Sequence, residues 1–172
     1  MKKLALFASA LALGLGSTAV SAQDDGQIRI LLNFDGPELT QTLEAMGATW
    51  ERRNGDQGQA IYIVKLKNGA TAVAAPSICR GEMVNSGCTG LNLYARFSKP
   101  EGKTPGAVAQ FVNQYNRGHA ATMATHDGQG NAQLNMYIIA EHGIALANLR
   151  TQLTVFESGT GSFSRDLYAQ PE

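Results

Sequence analysis

Several things are scarce in this chain, and each scarcity excludes a class of protein. Charge is sparse and balanced, with 14 basic against 14 acidic residues in 172, and no Lys/Arg cluster gathers on any stretch. Binding a phosphate backbone needs several basic groups on one face, so neither nucleic acid nor an anionic membrane is an expected partner. Long apolar runs are missing too. The longest, from Leu4 to about Gly16, falls short of the roughly 20 residues that span a bilayer. Histidine is limited to His119, His126 and His142, and no H-E-x-x-H, G-x-S-x-G, P-loop or EF-hand pattern occurs. No catalytic residue, cofactor or metal is therefore expected.

The start of the chain predicts the compartment. Lys2 and Lys3 precede the apolar run, and small residues follow it to Val20-Ser21-Ala22, the pattern of a secretory signal peptide over 1–22 cleaved after Ala22. Position 23 is Gln, so a lipid-anchored cysteine start is not expected. The mature chain is expected to be periplasmic or secreted, without a membrane span. Losing Lys2 and Lys3 and no acid leaves 12 basic against 14 acidic residues, a formal charge of −2.

That compartment decides between readings of the only two cysteines, Cys79 and Cys88. A zinc site wants four ligands in closely spaced pairs, whereas here eight residues intervene and the histidines are thirty or more positions away. A redox pair wants a thiol at a helix start, but Arg80 to Gly87 carries two glycines and reads as loop. In an oxidising compartment two cysteines of one small domain pair with each other. A Cys79–Cys88 disulfide is the expectation.

The pattern after residue 34 predicts one α+β domain. Three stretches have helical spacing with a single apolar stripe. The first has Asp35 and Glu38 spaced as a capping box, Pro37 in its opening turn, and Leu39, Leu43 and Met46 on one face before Gly47. The second starts at Thr104-Pro105 and aligns Val108, Phe111, Val112 and Tyr115 before Gly118. The third runs from about Gly143 to Phe156, with Leu146, Leu149 and Leu153 on one side and Gly159 as its stop. Strict alternation marks strands at 60–67, 91–97 and 132–140, and Asn68-Gly69 and Asp127-Gly128 read as hairpin turns to apolar neighbours at 70–75 and 120–125. The expected fold is an antiparallel sheet with helices on one face, in the order α-β-β-β-α-β-β-α.

The segments "CTGLNLYARF" (88–97), "FVNQYNRGHAATMATHDGQGNAQLNMYI" (111–138) and "GIALANL" (143–149) resemble the YbjN-domain family of bacterial sensory transduction regulators. Two departures stand out: Tyr115-Asn116 occupies the place of a Trp-Asn pair, and Ala145 that of a Ser or Thr before the last helix. The resemblance implies a fold similar to type III secretion chaperones, which often dimerise, and no recognised catalytic residues. On this reading 23–34 is a lead-in, 35–160 the YbjN-like domain and 161–172 a C-terminal tail.

The remaining candidates follow from side-chain chemistry. Asn92, Tyr94, Arg96, Asn135 and Tyr137 fall on the second face of their strands and combine aromatic rings with donors and acceptors, a composition enriched at interfaces. They are the candidate face for a protein or peptide partner, either a second copy or a foreign chain. Asn116 reads as a tie from the helix end to the next segment, and Asp127 as a turn residue. The opposing hypothesis is an exported hydrolase with a site assembled from His126, Asp127 and Ser162.

Overall fold

The computed structural model describes residues 28–55, 58–80 and 86–169. The expected signal peptide and its cleavage point, and 81–85 of the segment between the cysteines, lie outside the described residues. The architecture is α+β. Six antiparallel strands lie in the order β2 (Thr49–Asn54), β3 (Ala60–Lys65), β4 (Thr71–Cys79), β5 (Cys88–Phe97), β7 (Ala132–Ile139) and β6 (Met123–His126). A small ribbon pairs β1 (Ile30–Leu31) with β8 (Ile144–Ala145). Helices α1 (Pro37–Ala45), α2 (Pro105–Gly118) and α3 (Leu146–Tyr168) complete the fold.

Alternation in the strands becomes two chemically different faces. Tyr62, Val64, Leu91, Leu93, Leu134 and Ile138 are buried and join one core with Leu39 and Leu43 of α1, Val108 and Val112 of α2, and Leu149, Leu153 and Phe156 of α3. All three helical stripes thus cover the same side of the sheet. Asn68-Gly69 makes the β3–β4 turn, with Leu66 N–H donating to Ala70 O (2.9 Å) and Gly69 at a φ of 87° that a side chain would strain.

The helix starts follow different rules. Thr104 caps α2, its hydroxyl accepting from Ala107 N (3.2 Å). The capping box expected at α1 does not form. Gly36 is the N-cap, and the Asp35 carboxylate instead accepts from Gly87 N (3.1 Å) and Cys88 N (2.9 Å), part-buried donors at the entry to β5. At α3 Ala145 offers no side-chain cap, but Leu146 N donates to Arg29 O (2.9 Å), so the segment entering β1 supplies the missing acceptor.

Three corrections concern extents. Strand β2 was not expected, because every residue of Thr49–Asn54 is exposed and none alternates. The two-residue strands β1 and β8 were not expected either. Helix α3 does not stop at Gly159: it passes through Gly159 and Gly161 to Tyr168, and Phe163 and Leu167, expected in the tail, are fully buried. Of the two glycines only Gly161 is tightly placed. A Cβ on Gly159 would lie 3.5 Å from Thr122 and 3.6 Å from Leu134, and one on Gly161 would lie 3.3 Å from the Asn68 amide nitrogen. That amide donates to Glu157 O (2.6 Å) and Thr160 Oγ1 (3.0 Å), docking the β3–β4 turn onto α3. Phe163 then reaches Phe97, Phe111 and Tyr115 with ring centroids at 5.0, 5.1 and 4.9 Å.

Candidate functional site

The five residues singled out by alternation come together on the uncovered face. In register, Tyr94 lies opposite Asn135, Asn92 opposite Tyr137, and Arg96 opposite Gln133. Directly opposed residues of an antiparallel pair share a face, so these form adjoining rows across the two central strands. The rows continue outward, Tyr94 to Val73 and Ile63 on one side and Asn135 to Met123 on the other.

Hydrogen bonds hold much of this surface in place. Arg96 Nε donates to Gln133 Oε1 (3.2 Å) while its guanidinium lies 5.4 Å from the Tyr94 ring centre. Gln133 Nε2 donates to Asn135 Oδ1 (2.6 Å), and Asn135 Nδ2 donates to Met123 O (3.2 Å). Tyr137 lies across β5 and shares a hydrogen bond with Ser77 Oγ on β4 (3.1 Å). Gly90 makes that crossing possible, since a Cβ there would run into the Tyr137 hydroxyl and Ser77 Oγ. These contacts join Arg96, Gln133 and Asn135 into one chain of hydrogen bonds, with the Tyr137–Ser77 bond beside it.

Sequence reasoning left out the apolar part of the face. Tyr137 is 48% exposed, Ile139 58% and Met123 59%, with half-buried Val73 and Ile63 continuing the Tyr94 row outward. Ile63 and Ile139 were visible by parity alone. Val73 and Met123 sit in short runs rich in Ala and Thr, where parity is ambiguous.

Beneath one end of the face, Cys79 and Cys88 stand opposite each other in the β4–β5 register and form the expected disulfide (S–S 2.04 Å). Beyond it Arg80 pairs with Glu141 (2.9 Å), which also accepts from Thr89 Oγ1 (3.0 Å). His142, next to Glu141, is exposed in the turn.

At the opposite end a recess of about 540 Å³ is lined by Arg96, Thr125, His126, Asp127, Asn131 and Gln133 among others. His126 Nδ1 accepts from Gly128 N (3.2 Å), which leaves Nε2 as its donor. The Asp127 carboxylate accepts from Gln129 N (2.8 Å), Asn131 N (3.1 Å) and the Asn131 side-chain amide. The amide first, and then the Gln129 N–H, hold this carboxyl below the usual carboxylate range. Asp127 is a turn residue, as read. Ser162 does not line the recess: it sits on α3, where its hydroxyl donates to Ser158 O (2.9 Å). Asn116 also acts as read, its amide donating to Ala124 O (2.9 Å) and accepting from Ala124 N (2.7 Å). His119 stacks on Tyr115 at 3.9 Å. Among the described residues no three His, Cys, Asp or Glu side chains are grouped to hold a metal, and no helix is long and apolar enough to cross a membrane.

A comparison with curated proteins finds no match. Against protein families, the model of YbjN, described as "Putative bacterial sensory transduction regulator", matches residues 37–168, from the start of α1 to the end of α3. That span takes in every element that builds the open face, and the chain belongs to the YbjN family.

Proposed function

We propose that this protein is an exported, non-catalytic adaptor of the bacterial cell envelope that captures a protein or peptide on the open face of its sheet. One observation carries the reading: Asn92, Tyr94, Arg96, Asn135 and Tyr137 share one surface beside exposed Ile139 and Met123, while three helices shield only the other side. Exposed aromatic and apolar groups beside hydrogen-bonded polar ones suit a protein interface. Membership in a family of regulators rather than enzymes supports it. A Cys79–Cys88 disulfide suits the oxidising compartment to which the N-terminal pattern directs the chain.

The hydrolase alternative draws less support. His126 and Asp127 line one recess, but the carboxylate is engaged by its own turn and Ser162 spends its hydroxyl inside α3. Quantitative retention of envelope proteins on immobilised mature chain tests the adaptor reading. Specific proteins retained by wild type and lost with Tyr94→Ser/Tyr137→Ser are expected; identical retention by both forms refutes it.

A further inference from the structure

The recess beside the β6–β7 turn contains a cation that is tethered on one side only. In register, Arg96 lies opposite Gln133 and Gln133 opposite Thr125, so the three form one row on the open face, next to the row of Tyr94, Asn135 and Met123. That row also lines the recess of about 540 Å³, a volume within the range that small ligands occupy. Gln133 Oε1 takes the Arg96 Nε–H (3.2 Å), and the Tyr94 ring centre lies 5.4 Å from the guanidinium carbon. Among the described residues nothing accepts from Arg96 Nη1 or Nη2, and no acid pairs with them. The fork of terminal nitrogens is left for a planar group with two oxygens, which is the geometry of a carboxylate. Nearby, the Thr125 hydroxyl accepts from Asn135 Nδ2 (3.4 Å), which leaves its own hydrogen to donate.

We infer that this recess receives a carboxylate of the captured peptide, held end-on by Arg96 Nη1 and Nη2 with the Thr125 hydroxyl as a further donor. The inference deepens the adaptor reading and rests on it. Charge selects the class of anion. Among the described residues of the lining, Arg96 and Asp127 alone carry full charges. The Asp127 carboxylate accepts three hydrogen bonds from its own turn and stays in place as an acid. One cation against one acid suits a monoanion, whereas a phosphate dianion would bring two charges beside Asp127 with only Arg96 to offset them. Exposed Met123 and half-buried Tyr94 sit one row back, where the residues adjoining the carboxylate would pack. Two sources supply the same chemistry: the carboxyl end of the peptide, or an Asp or Glu side chain along it.

The test passes N-acetylated random peptides over immobilised mature chain and quantifies the retained fraction by mass spectrometry. One pool lacks Asp and Glu and ends in a free acid, a second is the same pool as the C-terminal amide, and a third contains Asp and Glu but is amidated. Wild type is expected to retain the first or the third pool at least about tenfold better than the second. Preference for the first assigns the carboxyl end, and preference for the third assigns a side chain. Arg96→Ala, folded as judged by circular dichroism, is expected to lose that preference while retaining the second pool as wild type does. Arg96→Lys keeps the charge without the fork and is expected to recover only part of it. Equal retention of all three pools by wild type, or a preference that survives Arg96→Ala, overturns the inference and leaves the adaptor reading standing. No retention of any pool also overturns it, while the adaptor reading still answers to the retention of envelope proteins. If Arg96→Ala fails to fold, the preference of wild type and its decline in Arg96→Lys decide.

Discussion

Asp127 shows how an ordinary-looking acid is committed by its surroundings. Donors from Asn131 and Gln129 favour its charged form, so its folded pKa lies below the unfolded one. A depressed carboxyl pKa contributes stability that is present above the unfolded value and lost as pH falls through the folded value. The β6–β7 turn is therefore expected to hold through mild acid. An NMR titration should place Asp127 below the usual carboxylate range in wild type and nearer to it in Asn131→Ala; the same ordinary value in both would contradict the assignment. Gly90 is the second test at this scale. Gly90→Ala drives a methyl into the Tyr137 hydroxyl and Ser77 Oγ, and overpacking of this kind costs about 1–3 kcal/mol. The urea midpoint should fall, and much of the loss should vanish in a Tyr137→Ala background; an unchanged midpoint in the single variant would mean that Tyr137 does not lie across β5. Residue roles were legible where local chemistry is decisive, as with Asn116 and Asp127. Asp35 was misread because its partners, Gly87 and Cys88, come from far along the chain.

Elements were legible in proportion to their burial. Strands β5 and β7 are long and half-buried, so strict alternation gives both their type and their two faces. Strand β2 has no buried residue and leaves no periodic signal. Helix α3 was cut short because glycine after an apolar stripe usually ends a helix, whereas here the helix continues through Gly159 and Gly161 to bury Phe163 and Leu167, with Gly161 close to the Asn68 turn. The added turns are not ornamental, because Phe163 lies at the centre of an aromatic cluster with Phe97, Phe111 and Tyr115. Phe163→Ala should cost about 3–5 kcal/mol in denaturant unfolding. A loss within a few tenths of a kcal/mol would show that this stretch is a tail after all.

At the scale of the whole molecule, three helices bury one face of the sheet and a disulfide clamps one end of the other. Closing the ten-residue loop that runs from Cys79 through Cys88 removes denatured-state entropy worth about 2.5–3 kcal/mol in the simple chain treatment. Reduction, or Cys79→Ser/Cys88→Ser, should lower unfolding free energy by about that amount; equal stability with and without the bond would contradict it. The fold class and the five face residues were readable before any coordinates because one periodicity encodes both. The central claim is that the open face, not the helical face, meets the partner. It is tested most directly by a photo-crosslinking side chain at Asn92, compared with one at the exposed Arg150 of α3, in envelope extract. Discrete adducts from Asn92 that disappear with Tyr94→Ser/Tyr137→Ser, and none from Arg150, are the predicted result; adducts from Arg150 alone, or equally from both sites, would contradict it.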